Sequence, residues 1–357
     1  GLEVDDGVAL DRLLHDMVPH SGEPVYSIDV HPADKTILVT GGGDDCARIL
    51  RYEHMTEEWT IVGELGGNSS DSIISVRFNH DGSLVASGGM DGDVKIFKSF
   101  TGELVHCFEG PNEVVWIDWH PKGNVIVAGA EDGLIWMWNA DSGVCMHVFS
   151  GSATRSLAGQ FSPDGKWLVS TGEGIVTVWN PKEGKAELVY DRGQGHPIPE
   201  CDLISLAINP SSTLIAVGSA MGHLIVLRLL SQQVVNHLQG HTDAIEGLAF
   251  APKLNYLVSG GLDSRLIMWD LNTFTVRHRC ETADDEEING LRWLSNPDTF
   301  VTSSVNGLVS VWDGRSGARL DQFGLSEAPC LAVAPIPSKQ LMFCAYESGR
   351  VVSFAYN

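Results

Sequence analysis

The chain has 357 residues, 43% of them apolar and 39 of them glycine, and no stretch approaches the 18 or more apolar residues of a membrane-spanning helix. Against 23 lysines and arginines stand 46 aspartates and glutamates, a formal net charge of −23 that repels phosphate backbones and favours basic protein partners over direct contact with nucleic acid or membrane. Gly1 opens no basic segment followed by an apolar run, and the seven cysteines are scattered without a CxxC pair, so the sequence reads as a soluble cytoplasmic protein, possible in the nucleus too, with reduced core cysteines.

In chain order, residues 8–20, VALDRLLHDMVPH, come first and read as a strand with no partner in its own unit. Eight similar units follow, centred on residues 25–52, 72–99, 113–140, 155–181, 202–229, 244–271, 287–314 and 328–356. Each contains an apolar alternation closed by a turn, as in VRFNHDG, IDWHPKG and GQFSPDG, and then a ten-residue piece. These pieces are GGGDDCARIL, GGMDGDVKIF, GAEDGLIWMW, STGEGIVTVW, GSAMGHLIVL, GGLDSRLIMW, SSVNGLVSVW and AYESGRVVSF, ending at Leu50, Phe97, Trp138, Trp179, Leu227, Trp269, Trp312 and Phe354. Successive ends lie 41 to 48 residues apart, which brackets the period of a propeller blade. In these pieces a small residue or glycine ends one strand, an acidic or amide side chain sits in the turn in all but the fifth, glycine or a small residue accompanies it, and an alternating strand closes on a large side chain.

The pieces resemble WD repeats, with the closing dipeptide kept as Trp269-Asp270 and Trp312-Asp313. In such repeats His, Ser or Thr, Asp and Trp form a buried hydrogen-bonded set. Unit six matches it through His241, Ser259, Asp263 and Trp269; Asp91 in unit two, and Asp132 with Trp138 in unit three, keep parts of it. Unit five has Met221 and Leu227 where Asp and Trp belong and must rely on apolar packing. The fold expected is all-β, one eight-bladed propeller over the whole chain, with a seven-bladed ring and one stacked unit as the alternative. Because the eighth unit stops after its third strand, residues 8–20 are expected to pair beside residues 349–356 and close the ring. Residues 191–201 and 281–287 read as long loops between blades.

Catalytic signatures are missing: there is no GxSxG, HExxH or phosphate-cradling GxxxxGK. The chain therefore reads as a non-enzyme without cofactor or metal. His31 and His120 stand in His-Pro turns and His241 in the WD set, all structural; Asp44 joins Asp91, Asp132 and Asp263 as a turn residue. The binding signal lies in the loops preceding each first strand, which carry Glu23, Asp71, Glu113, Thr154 with Arg155, Asp202, Asp243, Glu286 with Glu287, and Glu327. Seven of the eight hold a carboxylate. The tight turns on the same rim add Asp45, Glu131, Glu173 and Glu347, so one face is expected to bind a Lys- and Arg-rich segment. Trp116, in VVWIDWHP, is out of phase with Trp119, and is either an exposed stacking residue of this face or a residue packed between blades.

The stretches LVASGGMDGDVKIF, EVVWIDWHPKGNVIVAGAEDGLIWMWNADSGVC and LIMWDLNTFTVRHRC resemble the angio-associated migratory cell protein family, with units four and five fitting less well. That family includes the fungal dedicated chaperone of the large-subunit ribosomal protein QM, also called ribosomal protein L ten. The resemblance implies a monomeric chaperone of 60S assembly that captures the basic N-terminal segment of QM in the cytoplasm. A histone-binding propeller or an adaptor scaffold is the alternative.

Overall fold

The computed structural model describes residues 12–65, 69–151, 154–294 and 298–356. They form eight four-stranded antiparallel sheets, each joined to the next through hydrophobic clusters shared by adjacent blades. In seven blades the strands run in chain order from the channel outwards. In the eighth, the outermost position is taken by Leu13–Met17 from the start of the chain.

Ring closure follows the register Leu13 to Phe354 and Met17 to Val351, within the pairing expected of residues 8–20 and 349–356. Residues 8–11 lie outside the described residues. The closing strand is also tied by ions: Arg350 donates to Asp16 at 2.6 Å, and Arg12 pairs with Asp321 of blade seven at 2.5 Å. The N-terminal and C-terminal strands thus share one sheet, and Val351–Ala355 is paired on both sides.

The second strand of each blade is covered on both faces, so it reads as a nearly continuous apolar or small run; Ile37–Gly42, Leu84–Gly89 and Leu341–Tyr346 are buried throughout. The outer strands are half wet and alternate. Blade six holds the full polar set. His241 donates through Nδ1 to Asp263 at 3.0 Å and meets Ser259 Oγ through Nε2 at 2.8 Å, while Trp269 Nε1 donates to Ser259 Oγ at 2.8 Å. Blade one holds a variant that the sequence reading missed: His20, fully buried, contacts Asp44 at 2.7 Å and Thr40 at 2.9 Å, with Leu50 in place of the Trp. Blade five packs Leu227 in the core and turns Met221 out to solvent.

At the opposite rim, His31 and His120 donate from Nε2 to the carbonyls of Gly82 and Gly165 in the next blade, each at 2.9 Å. Their structural role is thus to clasp adjacent blades. The cysteines depart in part from expectation: only Cys280, Cys330 and Cys344 are buried, and Cys107 and Cys145 are exposed on outer strands. Residues 191–201 are less of a loop than they read. Asp191 ends a strand, Arg192–Gln194 make a 3-10 turn, and Ile198 is buried in the core between blades four and five.

Candidate binding face

The innermost strands are Val25–Val30, Ile73–Phe78, Val114–Trp119, Ala158–Phe161, Leu203–Ile208, Ile245–Phe250, Ile288–Leu294 and Cys330–Ile336. Each starts beside the tight turn joining the second and third strands, as Val25 does by pairing with Gly42. The pre-strand loops and these turns therefore share one rim. Adjacent blades meet there: Glu173, in the turn of blade four, bridges to Asp202, in the loop of blade five.

Seven of the anticipated carboxylates stand on this rim with no basic side chain in ion-pairing range among the described residues: Glu23, Asp71, Glu113, Glu173, Asp243, Glu287 and Glu347. Glu113 is half-buried and the others are exposed. An eighth, Asp45, also half-buried and without a basic side chain in range, sits in the blade-one turn with φ +64. Asp71 and Asp243 each use one oxygen to accept the next residue's backbone N–H at 2.8 Å, leaving the second oxygen outward.

Three others are already partnered. Arg155, the one cation among the eight loop positions, donates to Glu131 at 2.6 and 2.8 Å and lies 3.7 Å from Asp202. The Arg155 hydrogen bond holds the Glu131 carboxyl below the usual carboxylate range. Arg350 lies 3.3 Å from Glu327. The negative ring is therefore interrupted at blades three to five and softened at blade eight.

Two expected binding residues belong to the interior instead. Glu286 is only 1% exposed: its carboxylate accepts from Arg319 at 2.5 Å, from Ser310 Oγ at 3.2 Å and from the Ala283 N–H at 3.1 Å. A buried carboxylate needs such partners, and Arg319 in turn stacks on Trp312. Its neighbour Glu287 is at the surface, as are Glu281, Asp284 and Asp285 of the same loop. Trp116 is 9% exposed and lies between blades three and four, its Nε1 donating to Ser156 Oγ at 2.9 Å. A Cβ added at Gly129 or Gly159 would fall 2.0 to 2.1 Å from its ring, so these glycines make the slot. It is not a surface stacking residue.

Inside the rim, a feature invisible in the sequence appears. In seven blades, every one but the fourth, the pairing of the innermost strand shifts at its second residue, a bulge that aims one side chain out of the ladder. Those residues are Tyr26, Ile74, Val115, Ile204, Glu246, Asn289 and Leu331, all exposed or half-buried, whereas the residue before each is at most 2% exposed. Deeper in the channel, the fifth residues of the innermost strands include Asp29, Arg77, Asp118 and Arg292. Burial pushes the Asp118 carboxyl up to about 6, partly offset by the charge of Arg77 and the Phe161 N–H that it accepts at 2.8 Å. Among the described residues no three His, Cys, Asp or Glu side chains are placed to hold a metal ion.

Comparison with known proteins agrees with this architecture. The WD domain, G-beta repeat profile matches residues 11–50, 59–98, 102–139 and 143–180, and the anaphase-promoting complex subunit 4 WD40 domain profile matches residues 206–296. The chain is 30% identical to the human angio-associated migratory cell protein over 353 residues, covering 91% of this chain and 79% of that one. The dog protein of the same name is also 30% identical, over 78% of its length. Among solved structures, Sqt1 of Saccharomyces cerevisiae superposes with a TM-score of 0.84 at 21% identity, over 96% of this chain and 98% of that one. Sqt1 of Chaetomium thermophilum, bound to the N-terminus of the ribosomal protein L10, superposes with a TM-score of 0.86 at 21% identity, over 96% and 99%. At these identities the superpositions show a shared fold.

Proposed function

The chain belongs to the angio-associated migratory cell protein family of WD-repeat propellers, a protein-binding scaffold, and from that membership we propose that it is a dedicated holder of a basic ribosomal-protein segment. The observation that carries this reading is the set of eight carboxylates on one rim without a cation of their own among the described residues. A segment rich in Lys and Arg would satisfy them by charge-assisted hydrogen bonds, stronger than neutral ones and lost to competing anions. The Chaetomium Sqt1 structure, bound to the N-terminus of ribosomal protein L10, makes the corresponding basic N-terminal segment the client of choice. On this reading the propeller shields that segment in the cytoplasm and releases it during large-subunit assembly, where ribosomal RNA offers the same cations a denser negative charge.

The test is a titration of the purified protein against a synthetic peptide of the client's N-terminus across a salt series. Affinity should fall steeply between low and physiological ionic strength, where the screening length shortens towards about 8 Å. A complex indifferent to salt would count against the proposal, and so would the absence of the ribosomal protein from material copurified from cytosol.

A further inference from the structure

The bulged residues at the channel mouth are not chemically uniform. From blade eight through blades one to three they are Leu331, Tyr26, Ile74 and Val115, and Ile204 stands in blade five. Blade four lacks the bulge but presents the half-buried Leu157 just ahead of its innermost strand. An apolar arc thus lies immediately inside a ring of carboxylates. In blades six and seven the mouth is polar, but its two residues differ in what they are free to do. Asn289 is committed at both ends: its amide donates to the Cys330 carbonyl at 2.9 Å, and its carbonyl accepts from Ser303 Oγ at 2.9 Å. Glu246 is exposed to the mouth and has no hydrogen-bond or ionic partner among the described residues.

A mouth that only held water would have no need of five apolar side chains at positions where the backbone is bent to aim them outwards, with Leu157 beside them, and the unpaired carboxylate next to them is open to a cation. We propose that this mouth is a specificity pocket for the same client: a branched or aromatic side chain of the basic segment enters the arc formed by Leu331, Tyr26, Ile74, Val115 and Ile204, and a neighbouring Lys or Arg pairs with Glu246. The inference rests on the rim reading above and adds to it the client's chemistry, which is apolar next to basic rather than basic alone. Partial desolvation among the surrounding strands pushes the Glu246 carboxyl above the usual range.

The probes are two synthetic twelve-residue peptides of equal charge, four arginines each, one with leucine and its twin with serine at the central positions. Fluorescence anisotropy at physiological salt should show the leucine peptide binding about tenfold more tightly, the effect of removing one such side chain from water. Replacing Ile74 and Val115 together by Ser should bring the twins to within about twofold of each other without weakening the serine peptide. Tyr26→Ser, at an exposed position, should narrow the gap independently should the double variant melt early. Glu246→Gln should weaken both peptides severalfold. Equal affinity of the twins for the unaltered protein, or a preference that survives both sets of substitutions, overturns the pocket while leaving the acidic rim standing. If neither peptide binds, the rim reading and the pocket fall together.

Discussion

The two rims of the propeller are built from the same residue types and put them to different uses. On the rim opposite the binding face, carboxylates are consumed by the fold. Asp34 accepts from Thr36 Oγ1 and its N–H, Asp81 from Ser83 Oγ and its N–H, Asp164 from Ser162 Oγ at 2.6 Å and the Lys166 N–H, and Asp313 from Ser316 Oγ and two backbone N–H groups. Hydrogen bonds to Thr36 and Ser83 hold Asp34 and Asp81 below the usual carboxylate range; at Asp164 and Asp313 similar bonds outweigh the opposing effect of burial. On the binding rim, six of the anticipated carboxylates, Glu23, Asp45, Glu113, Glu173, Glu287 and Glu347, have neither such a bond nor a basic partner among the described residues. A charge that the fold leaves unsatisfied is available to a partner, and that difference marks the face more firmly than a tally of acidic residues.

Removing the condition that both rims share is the most drastic way to break this comparison. Truncation of residues 1–18 takes away the closing strand, and with it the Arg350–Asp16 and Arg12–Asp321 ion pairs. An open blade eight should cost about 3 kcal/mol or more, read as a lower urea or thermal midpoint. A truncated chain that melts within about a degree of the full one would show that closure contributes little.

Substitution at single positions separates the rims more finely. Glu113→Lys and Glu287→Lys on the binding rim should each weaken a basic peptide by about 2 kcal/mol while changing stability by no more than about 0.5 kcal/mol. Asp164→Lys on the other rim should do the reverse, losing about 2 kcal/mol of stability with the turn hydrogen bonds and leaving binding nearly unchanged. Equal binding losses from both rims would reduce the interaction to net charge.

How far the sequence showed this distinction depends on how local its causes are. The eight blades were legible because the turn residues, the small strand ends and the closing aromatic all lie within ten residues of one another. Glu286 and Glu287 are adjacent and alike in sequence; what buries the first is Arg319 and Ser310, 33 and 24 residues further on. Trp116 broke the alternation of its strand because of the bulge at Val115, a backbone event with no residue signature. His20 escaped notice because its blade closes on Leu50 instead of Trp, although Asp44, which it contacts, already read as a turn residue. Glu246 looked like any polar residue in an alternating strand.

Between the rims, Asp118 offers a sharper test of what an ionised carboxylate does when the fold only half satisfies it. Its folded value, about 6, lies above its unfolded one of 3.8, so its protonated form is favoured by folding. That contribution is fully present below pH 3.8 and is lost as pH rises through 6; at neutral pH the ionised group burdens the fold. Asp118→Asn keeps an acceptor for the Phe161 N–H and removes the charge. It should raise stability at pH 7 by about 2 kcal/mol, with the gain shrinking through pH 6 to 4 and absent below, in denaturant titrations at each pH. A gain independent of pH would mean that packing is responsible.

The smallest effect expected bears on the interruption of the ring. Arg155 is the binding rim's own cation, and it occupies Glu131 and Asp202 much as a client's arginine would. Arg155→Ala should therefore release two carboxylates and strengthen binding of a basic peptide, by about 0.5 to 1 kcal/mol, since exposed ion pairs and single rim charges are worth little more. Stability should hardly move, because the arginine is exposed and its pairs are screened. The control is Lys98→Ala, which makes the same change in net charge on the opposite rim, where Lys98 pairs with Glu103 at 2.7 Å. Should the two variants tighten binding equally, the added negative charge acts at long range, and Arg155 is no internal competitor. A gain confined to Arg155→Ala and erased by adding Glu131→Gln and Asp202→Asn would show that what matters on this face is which carboxylates the fold has left without a partner.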